Sequence, residues 1–345
     1  MRVEQDRGGP GAIAIGWIRI DGNGSHGTHK VIGMPPPARP TTVGLVVRRS
    51  TAGAGAASTA VVAWGLGNNL VKYARLPGPS LALSRLWLGG LWFTGLLYLR
   101  GGRISLRALR VAAPGGIAFG LDVLLFFTSL KHTSVADASI ISSLQPALVL
   151  LVAGPLFGEL VSVEDVVLTA TATAGVVAAV LTASAAAGGT FFGNALAAAS
   201  VLAWTWYFIA SKQARHSLGT LEYQASLTLV AAVVVAPLVV IQGAPLAPSD
   251  ISTLGWVGLL VLVPGGGHLL MNWAHAHVPI VVTSVLTLGM PVVATAGAMV
   301  IFGEPITWAQ ALSMAVVLGS LGVVLVRHSR GTVGRPLRPP RPAAA

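Results

Sequence analysis

The six residues Phe157-Gly158-Glu159-Leu160-Val161-Ser162 (FGELVS, 157–162) return 145 positions later as FGEPIT (302–307). The likeness extends to both sides, so that residues 134–182 and 279–327 are two copies of one long apolar element. The register is kept by these pairs: His132 with His277, Ser139 with Ser284, Ser142 with Thr287, and Pro146 with Pro291. Chance similarity between apolar segments would not keep this register, which therefore indicates an internal duplication.

A second set of similar positions lies at an offset of 140 and extends the duplication towards the N-terminus. It pairs Trp64 with Trp204 and Lys72 with Lys212. The repeated unit is therefore larger than the first match. We place one copy at residues 52–183 and the other at residues 189–327.

Composition identifies the solvent of this chain as lipid. Of its 345 residues 54% are hydrophobic and 10% are charged, and the mean hydropathy is +0.75. A soluble domain carries about a quarter charged residues. The chain contains no cysteine, which excludes disulfides, thiolate catalysis and cysteine-ligated metals.

Apolar runs of about 20 residues, long enough to cross roughly 30 Å of hydrocarbon as a helix, occur ten times. They are rich in Ala and Val and lack the alternating pattern of barrel strands. The sequence therefore predicts an all-α membrane protein with ten transmembrane helices. The predicted spans are 52–71, 80–99, 112–130, 134–156, 163–183, 189–210, 221–241, 252–274, 279–302 and 308–326.

The distribution of Lys and Arg predicts the orientation, because basic residues near span ends remain cytoplasmic. With both termini inside, thirteen basic residues flank the inner ends and only Lys72, Arg75 and Lys131 flank the outer ends. We therefore expect a multi-pass protein of the plasma membrane with both termini cytoplasmic. Since each repeat has an odd number of spans, the two five-helix repeats are expected to be inverted. The net charge of +11 then reflects topology and contact with the inner leaflet, and no nucleic-acid partner is expected.

The segments outside the repeats have a different composition. Residues 1–51 are rich in Gly and Pro and lack helical periodicity, so they are predicted to be a disordered extension. Translation from Met34 is an alternative reading. Residues 328–345 are predicted to be a basic, disordered tail.

The chain resembles the EamA-like branch of the drug/metabolite transporter superfamily. The resemblance rests on Trp64-Gly65 in span 1, Arg85 in span 2, the proline-centred spans 4 and 9, and the Gly-Glu pair that closes each of them. It implies a secondary transporter, commonly an exporter of metabolites or drugs, with a central site between the halves. Its partners would be a small-molecule substrate and the lipid bilayer, with no cofactor and no metal.

Glu159 and Glu304 occupy equivalent points of the two repeats and could form a cation site. Each is followed by a capping pattern, however: Ser162 with Asp165, and Thr307 with Gln310. Such pairs open helices, here the predicted spans 5 and 10. A carboxylate near a helix N-terminus is also stabilised by the macrodipole. We therefore favour a structural role for both glutamates.

Pro146 and Pro291 lie within spans, where each removes a backbone donor and frees the carbonyl four residues earlier. Two kinked helices in inverted copies would face a central cavity lined by neutral hydrogen-bonding groups. The alternative is that the hydroxyl groups only bond to their own helices. The predicted substrate-binding residues are Trp64, Asn68, Ser139, Ser142, Ser143, Gln145, Pro146, Thr283, Ser284, Thr287 and Pro291.

Asp122 is the carboxylate predicted nearest the middle of a span, where a charge is costly and therefore often functional. Span 8 is the repeat equivalent of span 3 and carries His268. A buried carboxylate near an imidazole could carry a proton, so Asp122 and His268 are the candidate pair for proton coupling. Alternatively, Asp122 is bonded to a neighbouring span and His268 is satisfied in the core. Arg85 is expected to snorkel outwards. Trp204, Trp206 and Tyr207 are expected in an interfacial aromatic belt.

Enzyme signatures are missing from the sequence: it has no phosphate loop, no zinc-protease motif and no credible Ser-His-Asp set. We therefore expect a transporter that exports a small polar metabolite or drug-like solute, with proton coupling as one option. Two alternatives remain open, a non-transporting membrane sensor or assembly protein and a passive channel.

Overall fold

Helices joined by short turns make up the computed structural model, which describes residues 42–73, 76–129, 132–133, 138, 141–183, 190–303 and 305–333. In chain order they are α1 (Thr42–Leu70), α2 (Gly78–Leu99), α3 (Leu106–Ser129), α4 (Gln145–Phe157), α5 (Val163–Ala183), α6 (Phe191–Ala214), α7 (Thr220–Ile241), α8 (Ile251–His275), α9 (Ile280–Leu286), α10 (Met290–Phe302) and α11 (Trp308–Val333). Short 3-10 turns follow α1 at Val71–Tyr73 and α9 at Thr287–Gly289. The described residues contain no β-strand.

Seven helical segments are long and apolar enough to cross a membrane: α3, α5, α6, α7, α8, the continuous segment Ile280–Ile301 formed by α9 and α10, and α11. Helices α1 and α2 have 29 and 22 residues but are not among the seven, and α4 is a shorter apolar helix of 13 residues. This result confirms an all-helical membrane protein.

The predicted capping patterns are confirmed at the starts of α5 and α11. The Ser162 amide donates to Asp165 Oδ2 over 2.9 Å, and the Asp165 amide donates back to Ser162 Oγ over 3.1 Å. Thr307 and Gln310 exchange the same two bonds over 2.8 and 3.2 Å. Each cap satisfies backbone donors that have no partner inside the helix.

The helices that precede these caps also end alike. Gly158 follows α4 and Gly303 follows α10, with φ of 63° and 69°. Side chains with a Cβ rarely adopt this left-handed conformation, which is why glycine ends both helices. The Gly-Glu pair recognised in the sequence is therefore a helix stop followed by a short turn.

The two halves pack in the same way at equivalent glycines. A Cβ at Gly53 on α1 would lie 2.5 Å from Val278 after α8, and a Cβ at Gly193 on α6 would lie 2.4 Å from the backbone of His132 after α3. Gly53 and Gly193 are related by the offset of 140. Only glycine permits both approaches, so the duplication seen in the sequence is also present in the packing.

At Pro146 and Pro291 the predicted bend takes the form of an interruption in the α-helical bonding, which we call a helix break, while the backbone keeps right-handed helical angles. Pro146 and Pro291 each lie in the first turn of a new helix, α4 and α10. Thr287–Gly289 forms the 3-10 turn before the second break. Proline has no amide hydrogen and is therefore tolerated best in a first turn, where that donor would be unpaired.

Several boundaries differ from the predicted ones. Helix α1 begins at Thr42, inside the segment predicted to be disordered, and α11 continues to Val333, inside the predicted tail. Helix α3 begins at Leu106 rather than at residue 112. Polar residues at the ends of these helices conceal the boundary from a hydropathy criterion, although the backbone bonding continues. The remaining predictions for residues 1–41 and 334–345 fall outside the described residues.

Candidate functional site

Asp122 lies inside the helical bundle and is 8% exposed. Its Oδ1 accepts a 2.7 Å hydrogen bond from Ser200 Oγ on α6. Asp122 lies roughly 10 Å before Ser129, the last residue of α3, at 1.5 Å per residue. It is therefore nearer this end of α3 than the start at Leu106. The carboxylate therefore bridges the two halves through a hydroxyl group.

An aromatic cluster surrounds His268, which is 4% exposed. The ring centroids of Phe119 and Trp64 lie 4.6 and 4.8 Å from that of His268, and the centroid of Trp204 lies at 5.8 Å. His268 Nδ1 lies 3.2 Å from the Tyr207 hydroxyl. The structure therefore gives His268 and Asp122 different hydrogen-bond partners.

The predicted aromatic belt on α6 is only partly observed. Trp206 is 43% exposed, as expected for a residue facing lipid, but Tyr207 is fully buried. Trp204 contacts Trp64 with a centroid separation of 5.2 Å across the two halves. Trp204 and Tyr207 are three positions apart and share one face of the helix, whereas Trp206 points about 100° away from Tyr207, so the three rings cannot all face lipid.

A chain of hydrogen bonds continues from Tyr207 across α8 to α7. The Tyr207 hydroxyl donates to Asn272 Oδ1 over 3.4 Å, Asn272 Nδ2 donates to Gln224 Oε1 over 2.7 Å, and Gln224 Nε2 donates to Thr228 Oγ1 over 3.2 Å. Neither Gln224 nor Thr228 is among the predicted site residues. Their spacing of four residues inside an apolar span was the available signal.

A small cavity opens between α2, α3, α7 and α8 beside this chain, with room for about one water-sized group in the present conformation. A larger solute would therefore require the cavity to widen. Arg85 lines the cavity, which contradicts the expectation that its side chain snorkels outwards. The other lining residues are Leu86, Gly89, Phe93, Phe119, Gln224, Thr228, Val261, Gly265 and His268.

The two helix breaks face each other. Thr287 Oγ1, just before the α10 break, lies 3.4 Å from Gln145 Oε1, just before Pro146. Gln145 is 1% exposed, and its Nε2 has no hydrogen-bond partner among the described residues. The breaks thus bring a buried, unused donor to the boundary between the halves.

The hydroxyl groups around the second break bond mainly to their own helix. Thr283 donates to the Ile280 carbonyl, Ser284 to the Val281 carbonyl and Thr287 to the Ser284 carbonyl, over 3.0, 2.9 and 2.6 Å. This is the alternative that the sequence left open. Their oxygens can still accept a further hydrogen bond.

The remaining predicted residues are dispersed. Trp64 donates its Nε1 hydrogen to the Pro264 carbonyl over 3.1 Å. Asn68 is exposed, whereas its neighbour Asn69 is buried and donates to the Ala294 carbonyl over 3.1 Å. Ser142 is partly buried, Ser143 is buried, and Ser139 lies outside the described residues.

One end of the bundle is closed by contacts between the halves, and we call it the Glu159 end, where Glu159, Lys212 and Ile280 meet. Glu159 accepts hydrogen bonds from the amides of Ile280 and Val281 over 2.7 and 3.2 Å, and its Oε1 lies 3.2 Å from Lys212 Nζ. Lys212 Nζ also donates to the Val278 carbonyl over 2.7 Å. Glu159 therefore caps α9 of the other half, rather than the helix that follows it.

A second group of contacts closes the same end. Arg327 on α11 lies 2.5 Å from Glu164 and 3.1 Å from Asp165 on α5. It also donates to Ser162 Oγ over 3.2 Å. The capping pair of α5 therefore also binds the last helix of the second half.

These features define a helical membrane protein of two similarly packed halves that enclose buried polar groups and broken helices. A model of the EamA-like transporter family matches residues 51–181 and, separately, residues 191–327. The chain therefore belongs to the EamA-like transporter family, within the drug/metabolite transporter superfamily, which confirms the resemblance noted in its sequence.

Comparison with solved structures agrees with this fold. The chain is similar to a protein described as "Crystal structure of protein", with a TM-score of 0.70 and 22% identity over 81% of this chain and 98% of the other. At that identity the match shows the shared fold alone. A comparison with curated proteins gave no significant match.

Proposed function

We propose that the protein is a secondary transporter that exports a small polar metabolite or drug-like solute across the plasma membrane. Its architecture in this proposal is ten spans in two inverted five-helix repeats, with α1, α2 and the segment around α4 spanning in addition to the seven apolar helices. Packing of Gly53 and Gly193 at equivalent contacts supports the duplication. The excess of Lys and Arg at one set of span ends supports cytoplasmic termini.

The observation that carries the proposal is the meeting of the two helix breaks at Gln145 and Thr287. Irregular backbone at membrane depth is tolerated where it is buried in protein or lines a cavity. In inverted-repeat transporters, broken helices from both halves form the solute site near the midplane. Gln145 Nε2 is an unpaired buried donor at this point and is suited to bind a polar solute.

Transport by alternating access requires that the two ends of the bundle open in turn. In the proposed orientation the Glu159 end is cytoplasmic, and its contacts hold that side closed. We assign solute contact to the residues near the breaks and to Trp64, which contacts both Trp204 and His268.

Proton coupling remains part of the proposal for Asp122 and His268. Asp122 is buried and bonded to one hydroxyl, so protonation would change its bond with Ser200 and thereby the contact between α3 and α6. His268 would act separately, through Tyr207 and the chain of hydrogen bonds to α7.

Flux measurements with the purified protein in liposomes test the proposal. Solutes would first be selected by comparing metabolites inside and outside cells with and without the gene. A transporter should move a selected solute in exchange experiments and accumulate it against its gradient when a pH or counter-solute gradient is applied. Downhill flux that no gradient can drive uphill would identify a passive channel. Absence of flux for every selected solute would favour a sensor or assembly protein.

A further inference from the structure

We propose that Arg85 binds the carboxylate of the transported solute, which makes the substrate a small monoanion or zwitterion with an apolar body. This inference rests on the proposed transport function and specifies the chemical class of its substrate. It concerns the cavity between α2, α3, α7 and α8, whose lining does not include the residues around the helix breaks but does include His268, which contacts Trp64. The feature behind it is a cationic side chain inside the bundle that lines an internal space.

Arg85 has five N–H donors and a permanent charge. Within the described part of the chain its guanidinium forms no hydrogen bond and no ion pair. Asp122 is close enough to attract it electrostatically but bonds to Ser200 instead. A charged group at this depth should pair with another group or face water, so an anion in the cavity would complete the environment of Arg85.

The shape of the donor group favours a carboxylate. A guanidinium presents parallel N–H groups that match the two oxygens of a carboxylate. Arg85 is the one cationic side chain among the cavity-lining residues unless His268 is protonated. It supplies a single positive charge, so a dianion such as a phosphate monoester would lack a second one.

The remaining lining predicts what the rest of the solute looks like. Phe93, Phe119, Leu86 and Val261 form an apolar wall, whereas Gln224 and Thr228 offer neutral polar atoms. A Cβ at Gly265 would be in ordinary van der Waals contact, with its nearest neighbour at 3.6 Å. When the cavity widens to admit a solute, these surfaces suit an aliphatic or aromatic carboxylate with a compact body better than a sugar or a nucleotide.

Matched acid and amide probes test the inference on the purified full-length protein. The melting temperature would be titrated with benzoate against benzamide, and with 4-methylpentanoate against its amide. Each pair differs chiefly in charge. We expect the acids to stabilise the protein at concentrations at least about tenfold lower than the amides do. The amides cannot form the charge-assisted hydrogen bond with Arg85, and losing such a bond weakens binding by at least about that factor. Equal stabilisation by acids and amides, or none by either acid, would overturn the inference.

Variants then locate the effect. Arg85→Gln should abolish the preference for acids, and Arg85→Lys should retain part of it. Arg100→Gln is the control, because Arg100 is an exposed arginine at the end of the same helix. An unchanged acid preference in Arg85→Gln would refute the assignment. If that variant does not fold, Gly265→Ala provides a second test. The added methyl group narrows the cavity without a close contact and should weaken the binding of benzoate, the bulkier of the two acids.

The outcomes separate this inference from the proposed transport function. If a solute without a carboxylate is transported and Arg85→Gln does not change its flux, the transport function is supported and the carboxylate site is refuted. If stabilisation is selective for acids and depends on Arg85 but no acid is transported, the carboxylate site is supported and the transport function is refuted.

Discussion

Glu159→Gln should open the Glu159 end of the bundle. Gln keeps the shape of Glu but carries no charge, and one oxygen becomes an NH2 group that cannot accept from a backbone amide. The change therefore removes the ion pair with Lys212 and at least one of the two bonds to Ile280 and Val281. All of these contacts join the first half of the chain to the second.

The free-energy cost of losing these contacts follows from the burial of the Glu159 and Lys212 side chains. The side chains of Lys212 and Glu159 are only 13% and 14% exposed. Breaking such a pair from one side costs about 3–5 kcal/mol, and the lower figure is appropriate because Gln retains one acceptor. If the open state lacks these contacts, about 3 kcal/mol shifts the equilibrium towards it by roughly 100-fold.

Cysteine labelling measures this shift, because the chain contains no native cysteine. Ala274 on α8 is fully buried near this end, so Ala274→Cys should react slowly with a polar maleimide. Adding Glu159→Gln should raise the labelling rate by one to two orders of magnitude. Glu164→Gln is the control, since Glu164 is 72% exposed and its pair with Arg327 should contribute about 1 kcal/mol or less. Equal labelling rates in the two variants would refute the idea that Glu159 holds this end closed.

Three further predictions use other parts of the chain. Asp122→Asn should insert and exchange solute normally but lose transport driven by a pH gradient, and unchanged gradient-driven uptake would remove Asp122 from coupling. Reporter fusions after Lys131 and after Arg215 should report opposite sides of the membrane, and the same side for both would exclude the ten-span count. Gly193→Ala should lower the melting temperature, because its Cβ would lie 2.4 Å from the His132 backbone. The control Gly95→Ala has open space around its Cβ and should raise the melting temperature slightly, so similar shifts in the two variants would contradict the close packing at Gly193.

Local features of the fold could be predicted from the sequence because the interacting residues are close along the chain. The caps at Ser162 and Thr307 join residues three positions apart, and Gly158 ends a helix through its own backbone freedom. The family follows from the repeat and from hydropathy, which depend on composition over long windows. The form of the interruptions at Pro146 and Pro291 could not be predicted, because it depends on which neighbours satisfy the released backbone groups.

Contacts between distant residues could not be predicted in the same way. Glu159 was assigned to the helix that follows it, but it caps α9, whose first residue lies 121 positions further along the chain. Arg85 was placed at the interface because its distance from the helix end permits snorkelling. Its actual direction depends on the cavity between α2, α7 and α8, which no single span encodes. The cost of a charge six residues inside a span was the signal that favoured an internal role.

The buried polar atoms that lack partners carry a final consequence. Among the described residues, Gln145 Nε2 near the helix breaks and both ring nitrogens of His275 at the Glu159 end have no hydrogen-bond partner, and the same is true of the hydroxyl groups of Ser80, Ser84, Thr94 and Ser226. Leaving a donor or acceptor buried without a partner costs about 1–3 kcal/mol, which a purely structural bundle would avoid by using apolar residues. If the protein alternates between states as proposed, we expect the same groups to be satisfied elsewhere in the cycle, Gln145 by solute and His275 by water when its end opens. Their cost in this conformation is then a driving force towards the other, which is the property that alternating access requires.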